Sequence, residues 1–493
     1  MPEYLSPLEA IMWRVGQDAT LRMTVGALLI LETPPATDSL IERLALAAEA
    51  APRLRQRPDD STGLRSRPVW LDDPDPALEH HVRSLSVASP GSMRQVLDLI
   101  ALLESIPFDP ERSPWDLTLI EGLEDGRAAL YVRAHHAITD GLGGIRLLGL
   151  LLDEADSRRG PYGPHRDREP VSDDVPAPES ERPLGTLTVT IDVPKAVRRF
   201  LDRVNLARDV DPVDSAVRGV QRALDVANSV SRQLVVTDGP MSSRPATRSM
   251  LSRFEVFSVS GARQVSLALG GSRNDLLVAA AAAGLGAYYE SLGEPCVELR
   301  LATPTSQRHR NEAGGNWFAP TRVDVPTSVD RPGPQFGVVA ERLAQAREEP
   351  ALRMASTLAA TIGRLPSRLL LPALHAQADS VDFAATTLPG LRGTRHICGS
   401  RIDASYPLGP RLGCPMNITA FGDDDRLDVG IALDPMVITQ PDLLVDCLTT
   451  AFASFAKVAG DTADTPRGDA STSTPTASGG ARRPRSPARR EPG

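Results

Sequence analysis

Two adjacent histidines, followed at fixed spacing by an aspartate and a glycine, carry the clearest chemistry in this sequence. They are His135 and His136, with Asp140 and Gly141 a few residues on. A neutral imidazole, whose ordinary pKa is about 6.5, can accept a proton from a bound hydroxyl or amine at neutral pH. Asp140 has two readings, because its carboxylate can orient the imidazole or form a structural ion pair that shapes the loop. The spacing therefore predicts a general base.

The elements around the motif separate the roles of the two histidines. Residues 129–134 have the pattern of a strand, and successive side chains of a strand point to opposite faces. One imidazole is therefore expected to enter a cleft while the other packs inward. Glycines after Asp140 permit a tight turn, and residues 145–148 begin a helical pattern. The motif is predicted at a strand-to-helix turn, where catalytic groups are common.

Two simpler interpretations of the histidine pair stay open. A single strand histidine is more often a packing residue than a catalytic one. A pair of histidines can also bind a metal, but adjacent strand histidines diverge and no third ligand is evident in the sequence. We therefore predict no metal site.

Composition narrows the class of protein. The chain has 493 residues, 41% hydrophobic and 24% charged, with a formal net charge of −9. That charge argues against nucleic acid as a partner. The four cysteines form no C-x-x-C pair, which fits a reduced, cytoplasmic setting. The N-terminus lacks the pattern of a signal peptide, and the apolar run 276–289 is shorter than a membrane span. We expect a cytoplasmic protein that is soluble or peripherally bound to the inner face of the membrane.

Hydrophobic periodicity predicts an α/β (α+β) protein of two lobes. Strands are predicted at 25–31, 117–121, 129–134, 297–301 and 427–433, and helices at 39–51 and 274–292. The predicted divisions are a first lobe with the histidine motif at 1–155, a linker with connecting helices at 156–240, a second lobe at 241–460 and a disordered basic tail at 461–493. The tail has two possible roles: it is a solubilising extension, or it makes electrostatic contact with an anionic membrane surface.

The histidine motif resembles that of the acyltransferase superfamily that contains chloramphenicol acetyltransferase, nonribosomal-peptide condensation domains and bacterial wax ester synthase/diacylglycerol acyltransferases. Further segments resemble the last family in chain order, namely 5–10, 52–57, 112–117, 120–123, 274–279, 304–308, 315–316 and 417–419. The resemblance covers roughly residues 4 to 457. The chain departs from the family at 386–391, where Asn of the usual Ser-Asn-Val-Pro-Gly-Pro is absent, and in the unmatched stretch 160–236.

The resemblance implies a fold and a set of residue roles. The fold would be two chloramphenicol-acetyltransferase-like lobes of mixed sheet and helices with a tunnel between them. His136 would be the general base, while His135, Asp140 and Gly141 would shape its loop. The family motif suggests Arg308 as the partner of Asp140.

The pair Asn274 and Asp275 has two readings. Both residues can serve as the N-cap and first turn of the helix that follows. The resemblance adds a substrate-binding role near the tunnel. The Ala- and Gly-rich helix that they begin would allow close packing against a neighbouring element.

The function implied by the resemblance is transfer of a long-chain acyl group from acyl-CoA to diacylglycerol or a long-chain alcohol, which makes triacylglycerol or wax ester. Acyl-CoA would be a co-substrate, and no cofactor or metal would be required. Contact with a membrane or lipid-droplet surface is a further expectation. Two alternatives stay open: a condensation-type enzyme with a carrier-bound acyl donor, and a non-catalytic lipid-binding relative.

Overall fold

Two six-stranded mixed sheets form the frame of the molecule. The computed structural model describes residues 3–60, 68–74, 76–153, 248–306, 318–327, 332–348, 367–391, 393–423 and 425–463. These residues form nine α-helices and fifteen β-strands in two lobes, which confirms the predicted mixed α/β architecture. The predicted linker, 156–240, lies outside the described residues.

The first lobe contains the first sheet, a small three-stranded sheet and four helices. Its elements are β1 (Glu3–Tyr4), α1 (Pro7–Val15), β2 (Thr24–Leu31), α2 (Thr37–Ala50), β3 (Gln56–Asp59), β4 (Val69–Asp72), β5 (Val82–Ser86), α3 (Met93–Ser105), β6 (Trp115–Glu121), β7 (Ala128–His135) and α4 (Gly141–Leu150).

The second half of the chain supplies the remaining strands and five helices. Its elements are β8 (Arg253–Ser260), α5 (Ala262–Ala268), α6 (Arg273–Ser291), β9 (Glu298–Ser306), β10 (Phe318–Pro326), α7 (Pro332–Arg347), α8 (Ser367–Asp379), β11 (Phe383–Pro389), β12 (His396–Ile397), β13 (Ser400–Leu408), β14 (Met416–Gly422), β15 (Arg426–Leu433) and α9 (Pro441–Ala463). The second sheet has the order β10-β9-β11-β14-β15-β8.

The strands β12 and β13 leave the second lobe and complete the sheet of the first. That sheet has the order β12-β13-β2-β7-β6-β5, and Leu408 pairs with Gly26 where β13 meets β2. The Asp153 carboxylate holds the β12–β13 turn by accepting hydrogen bonds from the N–H groups of Cys398 at 2.9 Å and Gly399 at 3.0 Å. The sequence had placed all of 241–460 in one lobe, because strand periodicity does not say which sheet a strand joins.

The Ala-rich helix α6 forms the centre of the second lobe and packs closely, as its composition predicted. A Cβ on Gly284 would lie 2.7 Å from Cδ2 of Leu448 on α9, so a larger residue there would push the two helices apart. Helix α9 is long and apolar enough to cross a membrane, with a mean hydropathy of 1.4 over an 18-residue window within 441–461. Its Leu444, Leu448 and Phe455 are nevertheless buried in the core of the lobe.

Several predicted element ends were wrong by one to five residues, and the largest error is at β9, which continues to Ser306 rather than ending at residue 301. Helix α2 begins at Thr37, two residues before the predicted start, and the preceding Ala36 provides no side-chain cap. Helix α9 continues to Ala463, so the first residues of the predicted tail are helical. The rest of that tail, 464–493, lies outside the described residues.

Candidate active site

Strand β7 carries the histidine motif and sorts its side chains between two environments. Val132, Ala134 and His136 line a cavity between the lobes, whereas Arg133 and His135 point to the other face of the sheet. The backbone of the pair is tied on both sides, since the His135 N–H donates to Pro114 O at 2.8 Å and the His136 N–H donates to Met23 O at 2.6 Å. The two imidazoles therefore diverge, as the alternation of strand side chains predicts.

His135 is a buried, neutral side chain. Its ring lies edge-on to Trp13, with 5.0 Å between ring centroids, and its Nδ1 accepts the Ala137 N–H at 3.1 Å. No partner lies within hydrogen-bonding distance of its Nε2 in the described part of the chain. Burial, and to a lesser extent the neighbouring His136, lower the pKa of His135 from 6.5 to about 3. Its contacts orient the motif.

The lowered pKa predicts an acid-sensitive stability. Between pH 6.5 and about 3 the unfolded chain binds a proton at His135 that the folded chain does not, so stability falls as the pH falls through this window. One such proton corresponds to a slope of roughly 1.4 kcal/mol per pH unit. We expect a shallower slope for His135→Gln in urea unfolding from pH 7 to 5. Equal slopes for the two proteins would contradict a neutral buried His135.

Asp140 caps the helix that follows the motif. It is the N-cap of α4, and its Oδ1 accepts the Gly143 N–H at 2.7 Å, which satisfies a free donor of the first turn. The carboxylate is buried and also lines the cavity. Arg308, the partner suggested by the resemblance, lies outside the described residues.

Gly141 is required for a close approach between the lobes. A Cβ there would lie 2.9 Å from Cδ2 of Leu388 on β11, so a side chain would separate α4 from the second lobe. The sequence predicted that these glycines permit a tight turn, but Gly141, Gly143 and Gly144 lie within the first residues of α4 and do not adopt positive φ. They provide space at the start of α4 rather than a left-handed turn.

The cavity that His136 lines has a volume of about 380 Å³ and takes its wall from both lobes. Most of the wall is apolar and comes from α2, α4, β2, β7 and β11. The polar side chains are few, namely His136, Thr139, Asp140, Thr303, Thr386, Thr387, Asn417 and Thr419. Trp115 is buried and also contributes to the wall. Such a space suits a mainly hydrocarbon ligand with one reactive polar group.

Asn274 and Asp275 lie beside the cavity without lining it. The N-cap of α6 is Ser272, so the sequence placed the cap two residues late. Asp275 completes a capping box by accepting the Ser272 N–H at 2.8 Å, and Asn274 Oδ1 accepts the Thr387 N–H of β11 at 3.0 Å. Both contacts position the helix and the strand, and a direct substrate contact for either residue stays a prediction.

Sequence reasoning missed the buried ion pair behind the histidines. Arg133 on β7 and Asp116 on β6 form a bidentate pair, with Nε–Oδ1 at 2.9 Å and Nη2–Oδ2 at 2.8 Å. The Arg133 guanidinium also donates to Ile106 O at 2.9 Å and lies 4.6 Å from the centre of the Phe108 ring. The sequence feature that could have indicated this ion pair is an arginine within an otherwise apolar strand. Arg133 lies two residues before His135, so this ion pair holds in place the strand that carries the motif.

Comparison with models of known protein families shows which family this chain belongs to. The model of the wax ester synthase/diacylglycerol acyltransferase catalytic domain matches residues 5–277, and that of the WS/DGAT C-terminal domain matches residues 314–455. The chain belongs to the wax ester synthase/diacylglycerol acyltransferase family. The resemblance read from the sequence is thereby confirmed, and the protein is an acyltransferase of this family.

Relatives of this family align with nearly the whole chain. A protein of Mycobacterium tuberculosis that carries the name diacylglycerol O-acyltransferase is 28% identical over 468 residues, 93% of each chain. A second M. tuberculosis protein with that name is 26% identical over 459 residues, 90% of this chain and 93% of the relative.

Solved structures show the same fold at low identity. The wax ester synthase/diacylglycerol acyltransferase from Marinobacter aquaeolei VT8 has a TM-score of 0.58 at 20% identity, covering 93% of this chain and all of that one. The first condensation domain of the calcium-dependent antibiotic synthetase has a TM-score of 0.54 at 18% identity, covering 94% and 97%. The fold is thus shared by family members and condensation domains.

Proposed function

We propose that this chain transfers a long-chain acyl group from acyl-CoA to the hydroxyl of diacylglycerol or a long-chain alcohol. The observation that carries the proposal is the placement of the His136 imidazole on the wall of a mainly apolar cavity between the lobes. The relatives named as diacylglycerol O-acyltransferases favour diacylglycerol as an acceptor.

The proposed reaction uses one protein group for two proton transfers. His136 takes the proton of the acceptor hydroxyl as that oxygen attacks the thioester carbonyl. The tetrahedral intermediate then collapses, the C–S bond breaks, and the coenzyme A thiolate leaves and receives the proton. The products are an ester and free coenzyme A. This order of reaction steps requires neither a covalent acyl-enzyme nor a cofactor.

An acceptor panel tests the proposal. Purified protein receives palmitoyl-CoA with dioleoylglycerol, with hexadecanol or with neither, and both free thiol and new ester are measured. Thiol release that depends on an acceptor, with matching ester, supports the proposal. Activity that appears only with an acylated carrier protein would favour the condensation-type reaction, and lipid binding without turnover would favour the non-catalytic alternative.

A further inference from the structure

A second, smaller cavity lies at the junction of the lobes. It has a volume of about 30 Å³, and Arg22, Glu104 and Ser252 are among the polar residues of its wall. Met250 on its wall is 65% exposed, so this junction cleft lies near the surface. A water needs about 10–15 Å³ of such space and two or more polar partners, so the cleft can hold one or two waters.

One short segment separates the junction cleft from the cavity of His136. Gly409, Pro410 and Leu412 line both spaces, so this segment lies between them. Leu412 has a φ of 53°, a left-handed conformation that a bulky side chain rarely adopts and that costs free energy. The cost implies that the surrounding contacts hold Leu412 in place.

Those contacts come from the two residues that precede Leu412. The Arg411 Nη1 lies 2.7 Å from Asp434 Oδ2 in an ion pair whose side chains are 4% and 0% exposed. Arg411 Nε also donates to Ser252 Oγ at 2.9 Å, and Asn417 Nδ2 donates to Pro410 O at 2.6 Å. The segment is thus tied to the second lobe through the Arg411 side chain and the Pro410 carbonyl.

We propose that Leu412 acts as a partition, which prevents water in the junction cleft from reaching the thioester beside His136. The acyl group is then transferred to an alcohol rather than to water. This inference rests on the proposed function. If water entered, its oxygen would attack the thioester carbonyl, His136 would take the proton, and the C–S bond would break to release coenzyme A and a free fatty acid. The same base would serve both nucleophiles, so exclusion of water must select between them.

The ratio of thiol released to ester formed tests the partition. In wild type with palmitoyl-CoA and dioleoylglycerol we expect a ratio close to one. In Leu412→Ala the two spaces join, and the ratio is expected to rise on the order of tenfold as hydrolysis competes with transfer. Leu142→Ala is the matched control, since it removes the same atoms from a wall of the reaction cavity that does not border the cleft. Its ratio should stay at one whatever its rate.

Two further variants keep the test decisive. Leu412→Gly removes the side chain and the cost of the left-handed conformation together, so it should fold even if Leu412→Ala fails to fold. Leu412→Met keeps the volume of the partition and should keep a ratio of one. A ratio of one in both Leu412→Ala and Leu412→Gly would overturn the partition. Wild type that releases no thiol with any acceptor would overturn the proposed function instead.

Discussion

Replacing His136 by alanine is expected to lower kcat for ester formation by about 10²–10⁴, the range that a positioned general base contributes. The reason is geometric, since His136 lines the cavity while His135 is turned away against Trp13. The measurement is ester formed per minute from palmitoyl-CoA and dioleoylglycerol at saturating concentrations of both.

His375→Ala is the matched control for this prediction. His375 lies on α8, within 3.4 Å of Asp18, and does not line the cavity. We expect its rate to equal that of wild type. If His136→Ala keeps more than about a tenth of the wild-type rate, well above the range expected of a lost general base, the assignment of His136 is wrong.

Replacing Arg133 by methionine is expected to destabilise the fold by about 3–5 kcal/mol, because it leaves the Asp116 carboxylate buried without its main partner. The side chains of Arg133 and Asp116 are 2% and 6% exposed, so solvent cannot replace the lost contact. The free energy of unfolding in urea measures the effect. Reduced acyl transfer in the folded fraction should accompany it, since β7 carries the histidines.

Two further variants separate the buried pair from a surface contact. Arg83 also contacts Asp116, at 3.1 Å, but its side chain is 35% exposed. Arg83→Met should therefore cost less than about 1 kcal/mol. The double variant Asp116→Leu/Arg133→Met should cost less than the sum of its single variants, by roughly 0.5–3 kcal/mol. Strict additivity would mean that the two side chains do not act as a pair.

Sequence periodicity predicted correctly those features that depend only on residues close together in the chain. The alternation of a strand separates His135 from His136 without any knowledge of the fold, because successive side chains must point to opposite faces. The same local pattern located the strand that begins at Thr24 and the Ala-rich helix that begins at Arg273, each within one residue. The motif and its flanking segments also identified the family, which the match over residues 5–277 confirms.

Only the tertiary structure could assign the long-range partners. Asp116 and Arg133 meet because β6 and β7 pair. Strand β13 joins the sheet of the first lobe, although nothing in its sequence pattern distinguishes it from the other strands. The space beside His136 and the wall formed by Leu412 depend on how two lobes fit together. The sequence by itself therefore determined the motif, the order of its elements and the likeness to a family. Packing between distant segments decided the burial of His135, the shape of the cavity and the wall that separates it from the junction cleft.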